Sequence, residues 1–255
     1  MNVVGVQMDI RWEDKSANLK AARALVQKAS PLPRSLVVLP EMFATGFSMN
    51  TAGVAEEYGG PTEMFLAGLA KEFGVYVLAG AAMRSPEGKF RNKALYFSFN
   101  GKLEGYYAKM RPFTPGGESK HYAPGAKPAA FECEGTTLAP FVCYDLRFPE
   151  LFRRITAQRR PEVFVVIASW PEKRITHWTR LLQARAIENQ AYVIGVNRVG
   201  VDPFYTYSGQ SVIVDFNGEI VAQAGAVEGC INAQLDLEAL RHYRKGLPFL
   251  EDLQF

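Results

Sequence analysis

Three side chains with complementary chemistry each follow a short apolar, strand-like run of the sequence. Glu41 follows Leu-Val-Val-Leu-Pro, Lys109 follows Gly-Tyr-Tyr-Ala, and Cys143 follows Leu-Ala-Pro-Phe-Val. Because strand ends at one edge of a sheet converge, we expect the three side chains to meet. A carboxylate can accept the proton of a thiol, a nearby cation favours the thiolate, and a lysine can hold the oxyanion of a tetrahedral intermediate. The pattern therefore predicts a hydrolase with a covalent cysteine intermediate.

Each of these residues has an ordinary structural explanation when it is considered alone. A single cysteine after a strand is more often a small buried apolar residue than a nucleophile. Glu41 alone is typical of a solvated loop or a helix cap, and Lys109 alone is typical of an exposed strand end. The catalytic interpretation depends on the three residues occurring together, each after its own strand.

Strand-like runs alternate with helical patterns at the start of the chain. The predicted strands are Val3–Met8, Ser35–Leu39 and Val75–Ala82, and the predicted helices are Ser16–Ala29 and Pro61–Phe73. In the first helix apolar residues recur at helical spacing, and a glycine is expected to end the second. This β-α-β-α-β order is typical of helices packed on a parallel or mixed sheet.

Two Asn-Gly pairs interrupt the alternation and predict β-hairpins at Asn100-Gly101 and Asn217-Gly218. Both residues of such a pair accept the positive φ of a type I′ turn, so the sheet is expected to be mixed. The flanking strand-like runs are Ala94–Phe99 and Lys102–Tyr107 for the first pair, and Ser211–Phe216 and Glu219–Gln223 for the second.

The second half of the chain resembles the first in outline. It contains a continuous apolar strand at Glu162–Ser169, a helix at Thr176–Gln190 and a further strand at Ala191–Val196. We find no linker and no low-complexity segment. The sequence therefore predicts an α/β fold with a single domain over residues 1–255, and the similar halves suit a sandwich of two sheets.

The composition argues against several classes of protein. The 255 residues are 48% hydrophobic and 22% charged, and 29 basic and 26 acidic residues leave a formal charge of +3. A nucleic-acid-binding protein usually has a larger basic excess on one face, and no apolar run approaches the roughly 20 residues of a membrane span. One local basic cluster predicts a solvated helix face or an intersubunit contact; its members are Arg153, Arg154, Arg159 and Arg160.

The cysteines and the first residues predict a cellular compartment. Cys133, Cys143 and Cys230 are too few and too scattered for a disulfide framework, and neither they nor the three histidines have metal-ligand spacing. The chain starts with a strand-like run that no signal-peptide pattern precedes. We therefore expect a cytoplasmic protein without a metal site.

Three ordered blocks of this sequence resemble the signature blocks of the nitrilase, or carbon–nitrogen hydrolase, superfamily. They are Leu-Pro-Glu-Met-Phe at 39–43, Tyr-Ala-Lys-Met-Arg-Pro-Phe at 107–113 and Val-Cys-Tyr-Asp-Leu-Arg-Phe-Pro-Glu at 142–150. Several runs within 168–211 are similar too, so the resemblance covers essentially the whole chain. The branch that the chain resembles is that of the omega-amidases of the bacterial YafV type.

The resemblance implies a four-layer α-β-β-α sandwich with two mixed sheets and a Glu-Lys-Cys triad. Carried over by motif, Glu41 is the general base, Lys109 stabilises the oxyanion and Cys143 is the nucleophile. The backbone N–H of Tyr144 is implied as a second oxyanion donor. Glu118 matches a second glutamate that positions Lys109 or the attacking water. The family reaction needs no metal or organic cofactor.

The resemblance also implies a substrate. Omega-amidases release ammonia from the terminal amide of 2-oxoglutaramate and 2-oxosuccinamate, whose far end carries a carboxylate. A cation is therefore expected in the pocket, and the candidates are Arg111, Arg147 and Arg174. Arg111 stands where relatives often have a histidine, which adds a charge at the pocket edge. The alternative for Arg147 is a structural bridge to Asp145 or Glu150.

Aromatic side chains near the blocks could form the apolar walls of the pocket. The candidates are Phe43, Trp170 and Trp178, and the alternative for each is a place in the core or at an interface. Family members commonly assemble through the face near the cysteine segment and the C-terminal tail. The apolar tail Arg241–Phe255 therefore predicts a homodimer.

Other functions remain open at this point. Within the family, the substrate can be a nitrile, a carbamoyl amine or deaminated glutathione, because the triad alone does not select among them. A non-catalytic binding or scaffold protein is disfavoured, since all three triad positions are filled. A papain-like hydrolase is disfavoured as well, because its cysteine signature is absent from the sequence.

Overall fold

Two six-stranded sheets lie face to face in the computed structural model, which describes residues 1–254. The first sheet contains, in spatial order, β14 (Gly229–Gln234), β1 (Asn2–Gln7), β2 (Leu36–Val38), β3 (Tyr76–Arg84), β4 (Phe90–Phe97) and β5 (Leu103–Ala108). The second contains β13 (Ile220–Gln223), β12 (Val212–Val214), β9 (Tyr192–Val196), β8 (Val163–Ile167), β7 (Thr136–Val142) and β6 (Phe131–Cys133). A separate hairpin is formed by β10 (Val199–Val201) and β11 (Thr206–Ser208).

Helices cover the outer face of each sheet. Helices α1 (Lys15–Ala29) and α3 (Pro61–Phe73) pack on the first sheet, and α4 (Pro149–Arg159) and α5 (Ile175–Asn189) lie on the second. The remaining helices are α2 (Thr51–Val54) and α6 (Leu237–Gly246). This arrangement confirms the predicted α-β-β-α sandwich with two mixed sheets. Within residues 1–254, no helix has the length and apolar character that a bilayer crossing requires.

Alternating side chains of the first sheet supply two separate cores. Val3 and Leu36 face the second sheet and belong to the cluster between the sheets, whereas their neighbours Val4 and Val37 pack under α1 and α3. All four are almost completely buried. Because successive side chains of a strand point to opposite faces, these continuous apolar runs indicate a sheet covered on both sides.

Both predicted Asn-Gly hairpins are present, but their turns are not of type I′. Only the glycines have positive φ, +81° at Gly101 and +87° at Gly218. The ladders end earlier than predicted, with Phe97 paired to Leu103 and Val214 paired to Ile220 across a register shift. The longer loops need the left-handed conformation at one position only, which the glycine supplies.

Candidate active site

The directions of three strands bring the predicted triad together at one end of the sandwich. β2 and β3 are parallel, while β3–β4 and β4–β5 are antiparallel, so β5 runs in the same direction as β2. Glu41 and Lys109 therefore emerge at the same edge of the first sheet. Cys143 follows the end of β7 in the facing sheet. The site thus lies between the two sheets, and each sheet contributes to it.

Three donors contact the carboxylate of Glu41, which is fully buried. Its Oε1 accepts hydrogen bonds from Lys109 Nζ at 2.9 Å and Asn92 Nδ2 at 2.7 Å, and its Oε2 accepts the N–H of Ser169 at 2.8 Å. Hydrogen bonds to both oxygens fix the position and orientation of the carboxylate. Glu41 is therefore arranged to act as a base.

Lys109 lies between two carboxylates and is almost completely buried. Its Nζ is 2.8 Å from Glu118 Oε2 and 2.9 Å from Glu41 Oε1. Burial by itself lowers the pKa of Lys109, but the charges of Glu118 and Glu41 outweigh it and hold the pKa above the usual value for lysine. The side chain is therefore a fixed cation. Glu118, on the 3₁₀ turn Glu118–Lys120, occupies the position predicted for the second glutamate beside Lys109.

Cys143 lies at the junction of β7 and the 3₁₀ helix Cys143–Arg147, with φ at +47°. Non-glycine residues rarely adopt this left-handed conformation, and such residues concentrate at functional sites. Its Sγ is 3.9 Å from the carbonyl oxygen of Ser169. Burial and the charge of Glu41 raise the pKa of Cys143 well above its usual value, although Lys109 acts in the opposite direction. The resting thiol is therefore neutral and needs a base.

A buried aspartate that the sequence analysis did not assign connects the segments around Cys143 and Lys109. Asp145 Oδ1 accepts the N–H of Arg111 at 2.8 Å, and Oδ2 accepts the Tyr107 hydroxyl at 2.8 Å and the N–H of Val142 at 3.1 Å. Burial raises the pKa of Asp145 to about 7, against the opposing effect of Lys109. These contacts hold the strand ends of the two sheets together next to the thiol.

A cleft of about 360 Å³, including its open mouth, leads to Cys143. Two of the predicted arginines, Arg147 and Arg174, and the predicted Trp170 line it. Sequence reasoning missed its other aromatic walls, which are Phe47, Phe113, Tyr144 and Tyr205. The lining combines apolar walls with cations, as in sites that bind small ligands.

Phe43, Trp178 and Arg111 do not line this cleft, contrary to the sequence prediction. Phe43 is fully buried and packs against Phe65 in the core under α1 and α3, and its backbone N–H donates to the carbonyl oxygen of Gly80 on β3. Trp178 is fully buried behind Trp170. The Arg111 guanidinium lies outside, within 3.4 Å of Glu150.

Arg147 is free of the structural bridges considered for it. One of its Nη atoms lies 3.2 Å from His177 Nδ1, and the guanidinium stacks 4.7 Å above the Trp170 ring. Among residues 1–254 it forms no ion pair with Asp145 or Glu150. Burial and the charge of Arg174 lower the pKa of Arg147. Two arginines thus face the cleft without a nearby carboxylate from the described chain.

Gly80 of β3 permits the close approach of the loop that carries Glu41. A Cβ at this position would lie 2.5 Å from both Glu41 Cα and the Met42 nitrogen. We expect Gly80→Ala to displace the Glu41 carboxylate and to lower kcat by about 10- to 100-fold, since small misplacements of catalytic groups have effects of this size. Steady-state kinetics on the folded variant measures this loss.

The matched control for Gly80→Ala is Gly68→Ala on the outer helix α3. A Cβ at Gly68 meets no atom within 4 Å, and alanine favours a helix. This variant should keep wild-type kinetics with unchanged or slightly higher stability. Equal kcat values for Gly80→Ala and the wild type would show that the close approach does not position Glu41.

The fold and this arrangement of cysteine, glutamates and lysine agree with the comparison to known families. Residues 3–245 match the carbon–nitrogen hydrolase family model. The chain therefore belongs to the carbon–nitrogen hydrolase family and is a hydrolase.

Individual proteins of known name or structure are similar to this chain over nearly its full length. The chain is 32% identical to the 2-oxoglutaramate amidase of Bacillus subtilis over 98% of this chain and 96% of the relative. It is 38% identical to the omega-amidase YafV of Yersinia enterocolitica over 97% and 94%, respectively. A solved CN-hydrolase superfamily protein of Xanthomonas campestris, which carries an arsenic adduct in its active site, superposes with a TM-score of 0.94 at 33% identity. That comparison covers 100% of this chain and 97% of the other.

Proposed function

We propose that this hydrolase cleaves the terminal amide of a small 2-oxo dicarboxylic acid monoamide, 2-oxoglutaramate or 2-oxosuccinamate, and releases ammonia. The observation that carries the proposal is a buried Glu41–Lys109–Glu118 cluster beside the Cys143 thiol, at a small cleft lined by Arg147 and Arg174, which form no ion pair among residues 1–254. The 2-oxoglutaramate amidase and omega-amidase relatives support the same substrate class.

The acylation step follows from the contacts of Glu41 and Lys109. Glu41 accepts the Cys143 proton, and the sulfur attacks the amide carbon. Lys109 and the backbone N–H of Tyr144 stabilise the oxyanion. Tyr144 lies in the first turn of a 3₁₀ helix, where N–H groups have no acceptor within the helix. Glu41 then passes its proton to the leaving nitrogen, the C–N bond breaks and ammonia departs.

The deacylation step uses the same groups on a water molecule. Glu41 removes a proton from the water, which attacks the thioester carbon. The C–S bond then breaks, Glu41 returns the proton to Cys143 Sγ, and the acid leaves. Glu118 Oε2, which lies 2.8 Å from Lys109 Nζ, positions the ammonium for both steps. The reaction as written requires no further cofactor.

The two cleft arginines supply a site for the substrate carboxylate. Arg147 and Arg174 both line the cleft, and neither is paired with a carboxylate of residues 1–254. Each can therefore stabilise an anion that binds in the cleft. An arginine can bind a carboxylate through two parallel hydrogen bonds. A monoamide of a dicarboxylic acid would thus place its amide at Cys143 and its carboxylate at the arginines.

Removing Arg147 should therefore weaken binding of a carboxylate-bearing amide. We expect Arg147→Ala to raise KM for 2-oxoglutaramate by about 10- to 100-fold, the range of a charge-assisted hydrogen bond, with a smaller effect on a neutral amide. Arg111→Ala is the matched control, since that guanidinium points to Glu150 outside the cleft and should leave KM near the wild-type value. Equal KM changes for charged and neutral amides would refute a carboxylate site at Arg147.

The substrate proposal itself is tested by ammonia release. We expect release from 2-oxoglutaramate to exceed that from glutamine, asparagine and a simple nitrile by a wide margin at equal concentration. Equal activity on all four compounds, or activity on the nitrile alone, would refute this proposal and indicate a different carbon–nitrogen substrate.

We also propose that the chain is a single-domain, cytoplasmic homodimer. Cys133, Cys143 and Cys230 are unpaired, as expected in a reducing compartment. On the tail, the nearby apolar residues Leu247 and Phe249 are 44% and 55% exposed, and a subunit contact would bury both. Phe255 of the predicted packing tail lies outside the described residues. Sedimentation that shows only monomer at micromolar concentration would refute the dimer.

A further inference from the structure

Asn92 of β4 is the one residue besides Lys109 whose side chain hydrogen-bonds to both active-site glutamates among residues 1–254. Its Nδ2 lies 2.7 Å from Glu41 Oε1 and 2.9 Å from Glu118 Oε1. The backbone carbonyl oxygen of Asn92 accepts the backbone N–H of Lys109 at 2.9 Å, and its side chain is buried. Asn92 is therefore built into the cluster through both its backbone and its side chain.

The orientation of the Asn92 amide follows from its neighbours. Both contacts are carboxylate oxygens, which accept hydrogen bonds when ionised, so the NH₂ group must face them. The opposite atom, Oδ1, is then buried without a hydrogen-bond partner in the described structure. An orphaned buried acceptor is costly. We attribute the unpaired Oδ1 to the opposite end of the amide, whose two N–H groups must both point at the glutamates.

The charges of the cluster explain this need. When both are ionised, Glu41 and Glu118 bring two negative charges to a buried site whose one ammonium among residues 1–254 is that of Lys109. Two carboxylates that share a site tend to retain one proton between them. Asn92 donates one N–H to each carboxylate, and it is the hydrogen-bond donor to Glu118 Oε1 in the described chain.

We propose that Asn92 is a positioning residue that keeps Glu41 and Glu118 ionised at the same time. The inference rests on the general-base role proposed for Glu41. With the amide in place, Glu41 is free to accept the Cys143 proton at neutral pH. Without the amide, the pair of glutamates retains a proton, and the thiol lacks an acceptor until the pH is higher.

The pH dependence of Cys143 alkylation tests this inference without any amide substrate. Iodoacetamide forms an S–C bond with Cys143, iodide leaves, and the thiol proton passes to Glu41. Peptide mass spectrometry follows the rate in the wild type, Asn92→Ala and the isosteric Asn92→Asp. We expect the acid limb of the pH–rate profile to move to higher pH by about one to two units in Asn92→Ala and by more in Asn92→Asp. The alkylation rate should return to the wild-type value at high pH.

Two reference variants make the result decisive. Asn189→Ala removes another fully buried asparagine, which bonds to Thr156 away from the site, and its profile should match the wild type. Glu41→Gln should remove the acid limb. An unshifted limb in both folded Asn92 variants, or a uniform rate loss at every pH, would overturn the role of Asn92. A wild-type profile that Glu41→Gln does not change would instead refute the general base, independently of whether the enzyme releases ammonia.

Discussion

Replacing Cys143 by alanine is expected to abolish amide turnover and leave the fold intact. The proposed covalent intermediate forms on the Cys143 thiol, which lines the cleft, whereas Ser169 beside it donates its N–H and its hydroxyl to Glu41. Losing a nucleophile from a catalytic unit typically costs 10⁴-fold or more in kcat. Ammonia release measures the loss, and circular dichroism with thermal unfolding verifies the fold.

The other two cysteines are matched controls for Cys143→Ala. Cys133 is fully buried between the sheets, and Cys230 lies on β14 at the far side of the first sheet. Neither residue contacts the cleft, so Cys133→Ala and Cys230→Ala should keep kcat within about threefold of the wild type. Full activity in folded Cys143→Ala would show that another group is the nucleophile.

Replacing Lys109 by methionine should have the second-largest effect, on both rate and stability. The variant keeps the length of the side chain and removes the cation between Glu41 and Glu118. The loss of an oxyanion donor lowers kcat by about 10²- to 10³-fold, and the loss of the contact that positions Glu41 lowers it further. Breaking a buried ion pair by removing one partner costs about 3–5 kcal/mol of the free energy of unfolding.

The pH dependence of this stability loss has a defined sign. In Lys109→Met the two buried carboxylates lose their counter-charge, so they bind protons more readily in the folded state than in the wild type. The stability difference between variant and wild type should therefore shrink as the pH falls from 8 to 5. Urea denaturation at several pH values measures it, and a difference that grows toward acid would contradict the charge arrangement.

Lys93 provides a control for Lys109, because it is also a buried lysine and lies on the face of β4 opposite to that of Asn92. Its Nζ contacts the Tyr58 hydroxyl and lies 3.8 Å above the Tyr106 ring, and burial lowers its pKa to about 8. Lys93→Met should leave kcat near the wild-type value. It should also stabilise the protein below about pH 8, where the folded state otherwise holds a buried charge.

Much of the fold follows from local patterns in the sequence. Pro61–Phe73 is helical at its predicted bounds, because a proline starts it and Gly74 ends it in the left-handed conformation. The predicted start of α1 and both predicted ends of α5 lie one residue later than those observed, and α1 ends at Ala29 as predicted. The turn geometry at Gly101 and Gly218 differs from prediction, since the loop length depends on where the ladder ends.

The site was less accessible to sequence reasoning than the fold. Glu41, Lys109 and Cys143 stand out because each follows an apolar strand, and the structure brings the strand ends together. Side-chain direction does not follow from proximity in sequence, so Phe43 was wrongly assigned to the cleft. Asn92 could not be found in this way, because the predicted strand begins at Ala94, whereas β4 begins at Phe90 and includes Asn92. Asparagine is uncommon in strands, so its place inside β4 indicates a specific hydrogen-bonding role.

The measurement that tests this account most directly is mass spectrometry of the enzyme after rapid acid quenching with 2-oxoglutaramate. The account predicts a transient thioester, with the 2-oxo acyl group attached to the peptide that contains Cys143, and ammonia release that keeps pace with its formation. The adduct should be absent from Cys143→Ala. Ammonia release from the wild type without any acyl adduct, or an adduct on a different residue, would contradict the covalent mechanism at Cys143.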